Sequence, residues 1–213
     1  MTRFAEFRER EESSAAGRTA PQGLPPGAGG ALSPDLAVRP LRREDLVACA
    51  QLAADREGEG LPRWIESFER ALRDECQLTL VAAAGEEILG YGKAGHLDPR
   101  SRGGRGMPTG WYLSGLVVRP DQRRRGWGRR LTEARVQTLV SRGVEEVWYF
   151  AAAVNTVSLD LHAGLGFVEV TRDFQAPWVS FTGGEGVLSV WRRPGFSGSA
   201  GPRTEACPSG PPR

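Results

Sequence analysis

The sequence predicts a single α/β domain built on a mixed β-sheet with helices packed against it. Residues 111–152 show the pattern of a strand, a helix and a second strand, and such a unit pairs its two strands in parallel through a right-handed connection. Residues 78–97 hold two strand-like runs joined by a short turn, which is typical of an antiparallel hairpin. A sheet that contains both kinds of pairing is mixed.

Local patterns predict the first elements of the domain. Residues 36–40 read as a short strand that ends at a proline, and residues 45–56 read as a helix with its apolar side chains on one side. A second helix begins at Pro62, because proline is favoured in the first helical turn. The apolar residues that follow it at helical spacing are Trp64, Ile65, Phe68 and Leu72.

The second half of the domain is predicted in the same way. Strand 111–118 leads into helix 129–142 and then into strand 144–152, which is apolar throughout, as expected of a strand covered on both faces. A short helix at residues 155–166 has an asparagine at its start and a glycine at its end. The remaining strands are expected at residues 167–172 and 187–192, with residues 174–181 as a candidate for a third.

Both ends of the chain are expected to be disordered. Residues 1–35 pass from a charged stretch into sequence rich in glycine, proline and alanine, and residues 194–213 are rich in glycine, proline and serine. Segments of this composition cannot bury enough apolar surface to fold. The folded domain is therefore predicted to span residues 36–193.

Composition and charge argue against several classes of protein. The formal net charge is +2, and basic and aromatic residues are not interleaved, so no nucleic-acid partner is expected. The longest apolar run, residues 147–154, is too short to cross a bilayer, and residues 1–14 lack an apolar signal core. We therefore expect a cytoplasmic protein with no membrane partner. The cysteines show no metal-ligand spacing, so no metal is expected.

The turn at residues 123–128 is the strongest local signal for a ligand. It holds three arginines and two glycines, follows a predicted strand and precedes a predicted helix. Free N–H groups at a helix start bind anions, glycines let successive N–H groups converge, and arginines can fork onto phosphate oxygens. A P-loop is excluded because Arg129 and Arg130 stand where lysine and serine or threonine are needed. A tight turn with solvated arginines remains the alternative reading.

Two longer patterns are more specific. Residues 118–128, V-R-P-D-Q-R-R-R-G-W-G, resemble motif A of the GNAT superfamily of acyl-CoA-dependent N-acetyltransferases. Residues 155–167, N-T-V-S-L-D-L-H-A-G-L-G-F, look like the second signature of that family and follow in the family's order. The resemblance implies a GNAT-like mixed sheet, splayed at its centre and flanked by helices, with acetyl-CoA wedged between strands 111–118 and 144–152.

The resemblance also implies roles for residues of both motifs. Arg123 occupies the glutamine-or-arginine position of motif A, and Arg129 either reaches the adenosine phosphate or is a solvated helix residue. Asn155 contacts the pantetheine region in relatives, although asparagine is also a good helix N-cap. The backbone groups implied to pair with the pantetheine arm are those of Leu116, Val117 and Val118. The N–H groups implied to hold the pyrophosphate are those of Arg124, Arg125, Gly126, Trp127 and Gly128.

The catalytic groups are less clearly marked. His162 stands where many relatives carry a tyrosine that protonates the departing CoA thiolate. A histidine can take that role as an imidazolium, can act as a base, or can simply line the pocket. Many relatives carry an acidic residue where this chain has Ser114 and Gly115, so that acid is missing here. His96 is the candidate base, with Asp98, Glu57, Glu59 or a water relay as alternatives.

The sequence thus predicts an enzyme that moves an acetyl group from acetyl-CoA to the primary amine of a small molecule or peptide by direct attack. The alternative is a non-catalytic acyl-CoA-binding sensor or interaction module on the same fold. Relatives are often homodimers, which leaves that state open for this chain. The loop at residues 100–106, rich in arginine and glycine, is either a cover that favours an acidic substrate or a disordered surface loop.

Overall fold

The computed structural model describes residues 36–58 and 60–195. The predicted disordered tail at residues 1–35, the predicted tail at residues 194–213 from residue 196 onward, and the candidate base Glu59 lie outside this part of the chain. The domain limits drawn from the sequence therefore stay predictions.

Within the described residues the fold consists of seven strands and four α-helices. The strands are β1 (Leu36–Pro40), β2 (Gln77–Ala84), β3 (Glu87–Leu97), β4 (Gly110–Val118), β5 (Glu146–Ala152), β6 (Val168–Thr171) and β7 (Gly186–Arg192). The helices are α1 (Leu46–Glu57), α2 (Leu61–Arg73), α3 (Trp127–Ser141) and α4 (Thr156–Ala163). None of these helices is long and apolar enough to cross a membrane.

The strands form one sheet in the order β1-β2-β3-β4-β5-β7-β6. The β4–β5 pair is parallel, and the other neighbouring pairs are antiparallel. The predicted mixed sheet and the hairpin between β2 and β3 are therefore confirmed. Helix α3 connects β4 to β5, as the β-α-β pattern required.

The sheet splits where β4 meets β5. The two strands pair only from Trp111 to Leu113 on β4 and from Val147 to Tyr149 on β5. Beyond these residues β4 stays paired with β3, and β5 stays paired with β7. The second halves of the two central strands therefore diverge, and their facing edges are open to a ligand.

Two apolar cores cover opposite faces of the sheet. Leu131 and Leu139 of α3 pack with Leu113 and other strand residues on one face. Phe68 of α2 packs with Val117 and the residues around it on the other face. Alternate residues of β4 therefore point to α3 and to the α1–α2 pair, so the open edge lies between two layers of helix.

The candidate strand at residues 174–181 is wrong. This segment is a loop, with a single bridge that joins Gln175 to Arg105. Pro177 has no N–H to donate to a sheet, and Phe174 and Phe181 turn inward to contact Phe150. The segment is thus fixed by its aromatic side chains rather than by a strand ladder.

Candidate active site

A cavity of about 370 Å³ lies where β4 and β5 diverge. It is lined by the second halves of both strands, by β3, by α2 and by the start of α4. Both histidines of the chain reach it, since His96 and His162 are among the lining residues. The sequence alone placed them 66 positions apart without showing that they share one cavity.

A bulge in β4 forms part of the cavity wall. Gly92 of β3 pairs with Leu116, whereas Lys93 pairs with Ser114, so Gly115 is an extra residue with no partner in β3. Gly115 has a φ of 48°, a left-handed conformation that favours glycine. The bulge turns the peptide groups of β4 at the point where the strand leaves β5.

Helix α3 fixes this bulge through Arg135. Its Nη1 donates hydrogen bonds to the carbonyl oxygens of Lys93, at 2.7 Å, and Ser114, at 3.1 Å. The same guanidinium donates to the Leu131 carbonyl and the Thr132 hydroxyl. Burial lowers the pKa of Arg135 to about 9, which leaves it charged at neutral pH. No carboxylate pairs with it in the described part of the chain.

The turn before α3 presents a row of open N–H groups. Arg124 and Gly126 are left-handed, with φ values of 62° and 84°, and Arg124 is the only described residue other than glycine with a positive φ. In residues 36–58 and 60–195, no carbonyl oxygen accepts from the N–H groups of Arg124, Arg125 or Gly126. A strained residue beside unpaired N–H groups at a helix start is the geometry of an anion site.

The side chains of this turn divide into an anchor and a charged rim. Trp127 is 4% exposed and packs in the core beneath α3, with the Arg130 guanidinium 5.1 Å from the centre of its ring. Arg123, Arg124 and Arg125 are exposed and form no ion pair with the described residues. The Trp127 side chain is thus a packing residue, and it anchors the start of α3 beside the open N–H groups.

Arg129 is engaged elsewhere. Its guanidinium pairs with Glu133 at 2.9 Å and donates to the Gly164 carbonyl at the end of α4 at 3.3 Å. This contact ties α3 to α4. The geometry matches the reading of Arg129 as a helix-surface residue, and its contact with an adenosine phosphate stays a prediction.

The turn before α3 meets the wall of the cavity at Gly128. A Cβ placed on Gly128 would lie 3.7 Å from the Cδ2 atoms of both Leu116 and Leu161. Both leucines line the cavity, so Gly128 faces the gap between β4 and α4. Leu116, Val117 and Val118 are the β4 residues at this gap, and the Leu116 carbonyl accepts a 3.3 Å hydrogen bond from Arg56.

Asn155 caps α4 at the far side of the gap. It is 7% exposed, lines the cavity, and its Oδ1 accepts a 3.2 Å hydrogen bond from the Ser158 N–H. The N-cap reading of the sequence is observed directly. A contact with the pantetheine arm is compatible with this position and stays a prediction.

His162 is buried, oriented and neutral. Its Nδ1 lies 2.8 Å from the Ser158 carbonyl oxygen, so this nitrogen carries the proton and donates. Its ring stacks on Tyr149 with centroids 3.6 Å apart, and Tyr149 donates to the Ser158 hydroxyl at 2.6 Å. Burial lowers the pKa of His162 to about 4. The unpartnered Nε2 is therefore a lone pair, which can accept a proton before it can donate one.

This burial predicts a pH dependence of stability. The folded-state pKa of about 4 lies below the ordinary value of 6.5, so the unfolded chain binds the proton first as the pH falls between these values. Stability from His162 is complete above about pH 6.5 and is lost toward about pH 4. Between about pH 7.5 and about pH 5, the protein should lose about 2 kcal/mol more unfolding free energy than His162→Phe. Urea titrations at both values measure this difference, and equal losses would contradict it.

His96 is a second neutral imidazole in the cavity. It is half-buried at the end of β3 and packs edge to face on Trp111, with ring centroids 5.9 Å apart. Burial lowers its pKa, and the charge of Asp98 opposes this effect. A neutral imidazole is a proton acceptor, so the geometry leaves His96 suited to the base role.

The other candidate bases are placed less well. Asp98 accepts a 3.2 Å hydrogen bond from the Thr109 hydroxyl and is not part of the cavity lining. Glu57 lines the cavity but lies 3.3 Å from the Arg56 guanidinium. His96 is therefore better placed than either carboxylate to take a proton from an amine in the cavity.

Sequence reasoning missed three residues that shape this site: Lys93, Arg135 and Tyr149. Arg135 had a usable signal, because it falls on the buried face of α3 between Leu131 and Leu139, where an apolar residue is expected. Lys93 had another, since it is the only lysine of the chain. Among the described residues no cluster of histidine, cysteine or acidic side chains could hold a metal ion.

The comparisons with known proteins agree with this geometry. Residues 41–167 match the Acetyltransferase (GNAT) family. The chain therefore belongs to the GNAT acetyltransferase family, and the family resemblance seen in its two motifs is confirmed.

Relatives and solved structures extend the comparison. A ribosomal protein bS18-alanine N-acetyltransferase of Salmonella typhimurium is 41% identical over 59 residues, which span 28% of this chain and 40% of that protein. The chain thus matches well under half the length of this curated relative. A ribosomal-protein-alanine N-acetyltransferase from Brucella melitensis superposes with a TM-score of 0.58 at 20% identity, covering 74% of this chain and 100% of that one.

A further solved structure contains acetyl-CoA. The Salmonella typhimurium protein YncA, solved with its cofactor acetyl-CoA, superposes with a TM-score of 0.59 at 16% identity. The match covers 78% of this chain and 99% of YncA. At such identities these structures show that the fold is shared.

Proposed function

We propose that the protein is an acetyl-CoA-dependent N-acetyltransferase that acts on the primary amine of a small molecule or peptide. The observation that carries the proposal is the proximity of three features: the open N–H groups of the turn before α3, the gap between the diverging strands, and the cavity lined by their second halves. A ligand with a pyrophosphate, a narrow arm and a reactive end fits this arrangement.

The residues present fit such a ligand. The N–H groups of Arg124, Arg125 and Gly126, with those of Trp127 and Gly128 in the first turn of α3, would hold the pyrophosphate. Arg123 and its neighbours add positive charge at the rim. Leu116, Val117, Val118 and Asn155 would contact the pantetheine arm along the gap. The role of Arg129 would be to hold α4 against α3 at the ligand's edge, with the adenosine phosphate within its reach.

The chemistry is the transfer of an activated acetyl group, which acetyl-CoA supplies as a thioester. A C–N bond to the amine forms, the C–S bond breaks, and one proton passes from nitrogen to sulfur. N–H groups at the Gly115 bulge, which Arg135 fixes, would stabilise negative charge on the carbonyl oxygen. A preorganised site of this kind needs no rearrangement during the reaction.

Two neutral histidines divide the proton transfer. An alkylammonium of pKa about 10 holds only about one free amine in a thousand at neutral pH, so an acceptor for its proton is useful. His96 takes this proton at the β3 side of the cavity. His162 takes the second nitrogen-bound proton on Nε2 and passes it to the departing sulfur. This revises the expected role of His162, because burial disfavours a standing imidazolium and favours a transient one.

The size of the acceptor follows from the cavity. A volume of about 370 Å³ is at the lower end of the range for small-molecule sites, and the acceptor shares it with the reactive end of acetyl-CoA, since Leu116, Val117 and Asn155 also line it. A small amine, or the terminus of a peptide, is therefore the acceptor we propose.

Release of CoA thiol in the presence of a panel of small amines tests the function. We expect turnover that depends on both acetyl-CoA and the amine. Tight binding of acetyl-CoA without turnover across a broad panel would favour the non-catalytic acyl-CoA-binding module instead.

The role of His96 predicts a pH profile. Activity should fall as the pH drops through the pKa of His96, which burial places below 6.5. His96→Gln should lower kcat/KM by about 100-fold, in keeping with the loss of a general base, and should remove this acidic limb. The matched control is Thr109→Val, a change beside Asp98 that leaves His96 intact. An unchanged profile in His96→Gln would assign the base to another group.

A further inference from the structure

Lys93 places an ammonium group on the α2 side of the cavity. Its Nζ lies 3.8 Å from the ring centre of Phe68, 5.4 Å from that of Trp64 and 5.7 Å from that of Tyr91. The faces of these rings attract a cation. Lys93 and Trp64 both line the cavity, so this cage opens on the space proposed for the acceptor.

No carboxylate balances this charge within residues 36–58 and 60–195. Burial lowers the pKa of Lys93 to about 8, and the groups that act on it are Cys49 of α1 and Arg70 of α2, with no acidic residue among them. The ring of Tyr91, on the same strand, lies 5.7 Å from the Lys93 Nζ and supplies no carboxylate either. Glu57, the acidic cavity residue at the end of α1, lies beside Arg56 instead. Lys93 is half-buried, and a cation partly removed from water without a carboxylate partner carries a free-energy cost that a ligand anion would relieve.

A second donor in the same wall lacks an acceptor. The Nε1 atom of Trp64 is buried and has no hydrogen-bond partner among the described residues. An unpaired buried donor costs free energy, just as the unpaired ammonium does. The α2 side of the cavity thus holds an ammonium without a carboxylate partner and, in the residue beside it, an indole N–H without an acceptor.

The other charged residues of the cavity wall also favour an anionic ligand. Arg135, which is fully buried, is a second cation without a carboxylate partner among the described residues, and Arg102 reaches the cavity from the loop rich in arginine and glycine. The second acidic lining residue, Asp74, is engaged by the Cys76 N–H and the Gln77 side chain. A polycationic acceptor would meet repulsion here, and an anionic group would meet attraction.

We infer that Lys93 recognises a carboxylate on the acceptor, and that the acceptor is therefore an amino-acid-like molecule rather than a polyamine. This inference rests on the proposed acetyltransferase function for the amine end of the acceptor. It assigns Lys93 to specificity, because the ammonium contacts the carboxylate and not the atoms that react.

Matched acceptors test the inference by kinetics. Thiol release is measured with α- and ω-amino acids, with the amide of each, and with diamines of the same length. The best amino acid should exceed its amide in kcat/KM by about 10- to 100-fold, the range for a hydrogen bond to a charged group. Lys93→Met keeps an unbranched side chain in the cage without the charge and should reduce this ratio to about one.

The control variant is Arg73→Met. Arg73 is an exposed residue of α2 that lies 4.0 Å from Glu69 and is not part of the cavity lining. The substitution removes one positive charge from the exposed surface of α2, outside the cavity, and should leave the ratio between amino acid and amide unchanged. Acetyl-CoA affinity, measured by calorimetry, should be equal in both variants and in the unaltered protein.

A second readout does not depend on turnover. Because Lys93 is the only lysine, labelling with [¹⁵N]lysine gives a single side-chain signal. The amino acid, added without acetyl-CoA, should shift this signal and raise the pKa of Lys93, since a nearby carboxylate favours the charged form. The amide should do neither. This measurement uses the unaltered protein, so it holds even if Lys93→Met folds poorly.

Each outcome separates the two claims. The inference is overturned if amides or diamines are acetylated as well as or better than amino acids and the amino acid does not shift the Lys93 signal. In that case the acetyltransferase function still stands. A carboxylate-dependent shift without thiol release from any amine supports the carboxylate site and removes the proposed function.

Discussion

Gly128→Val should weaken acetyl-CoA binding by about 10- to 100-fold, which corresponds to the 1–3 kcal/mol that overfilling a packed space costs. The added side chain enters the gap between Leu116 and Leu161, which we assign to the pantetheine arm. The new Cβ already meets both leucines at 3.7 Å, an ordinary contact, so the two γ-methyls of valine occupy the gap itself. Calorimetry with acetyl-CoA measures the loss of affinity, and urea unfolding of the same variant shows that it is folded.

Two further variants calibrate this result. Arg124→Ala removes an exposed side chain but keeps the backbone N–H, so it should cost less affinity than Gly128→Val or Gly126→Val. Gly58→Val is the control for Gly126→Val, because both glycines have a positive φ, of 71° and 84°. Gly58 lies outside the gap and the turn before α3, so its substitution should leave acetyl-CoA affinity unchanged. A larger loss in Arg124→Ala than in Gly128→Val would show that the arginine side chains, and not the backbone, bind the ligand.

Arg135→Ala should lower the free energy of unfolding by about 3–5 kcal/mol, since it leaves a cavity and removes donors from buried carbonyl groups. The carbonyls of Lys93 and Ser114 lose their shared donor at the β4 bulge. The bulge should then relax, and kcat should fall more than the affinity for acetyl-CoA. Urea unfolding and steady-state kinetics measure the two effects.

Controls separate packing from hydrogen bonding at this position. Arg135→Met refills much of the volume but donates to no carbonyl, so its stability should fall between those of Arg135→Ala and the unaltered protein. Arg130→Ala removes an arginine from the surface of the same helix and should cost less than about 1 kcal/mol. If Arg135→Ala were as stable as Arg130→Ala, Arg135 would not be what holds the bulge.

Much of the fold could be predicted because its signals are local. The apolar run of β5, the hairpin of β2 and β3 and the glycine turn before α3 each depend on a few neighbouring residues. Residues 174–181 were wrongly predicted to form a strand because that prediction also used only local pattern. The alternating apolar residues of this segment resemble a strand, but its aromatic side chains are placed by contacts with Phe150, which local pattern does not reveal.

The cofactor turn was predictable and the catalytic surroundings were not. Arg124 to Gly128 form one continuous motif, so their shared role is visible in the sequence. The protonation state of His162 depends on its burial, on its hydrogen bond to the Ser158 carbonyl and on its stacking against Tyr149. These contacts exist only in the folded chain. The cage around Lys93 likewise joins α2 to β3, and no spacing along the chain indicates that contact.

The central claim is that the N–H groups before α3 bind the pyrophosphate of acetyl-CoA. Calorimetric titration with acetyl-CoA and with S-acetyl-pantetheine, which lacks the pyrophosphate and adenosine, tests it most directly. We predict that acetyl-CoA binds about 100-fold more tightly, as expected when charge-assisted hydrogen bonds to phosphate are lost. Equal affinities for the two ligands, or no binding of acetyl-CoA, would contradict the account.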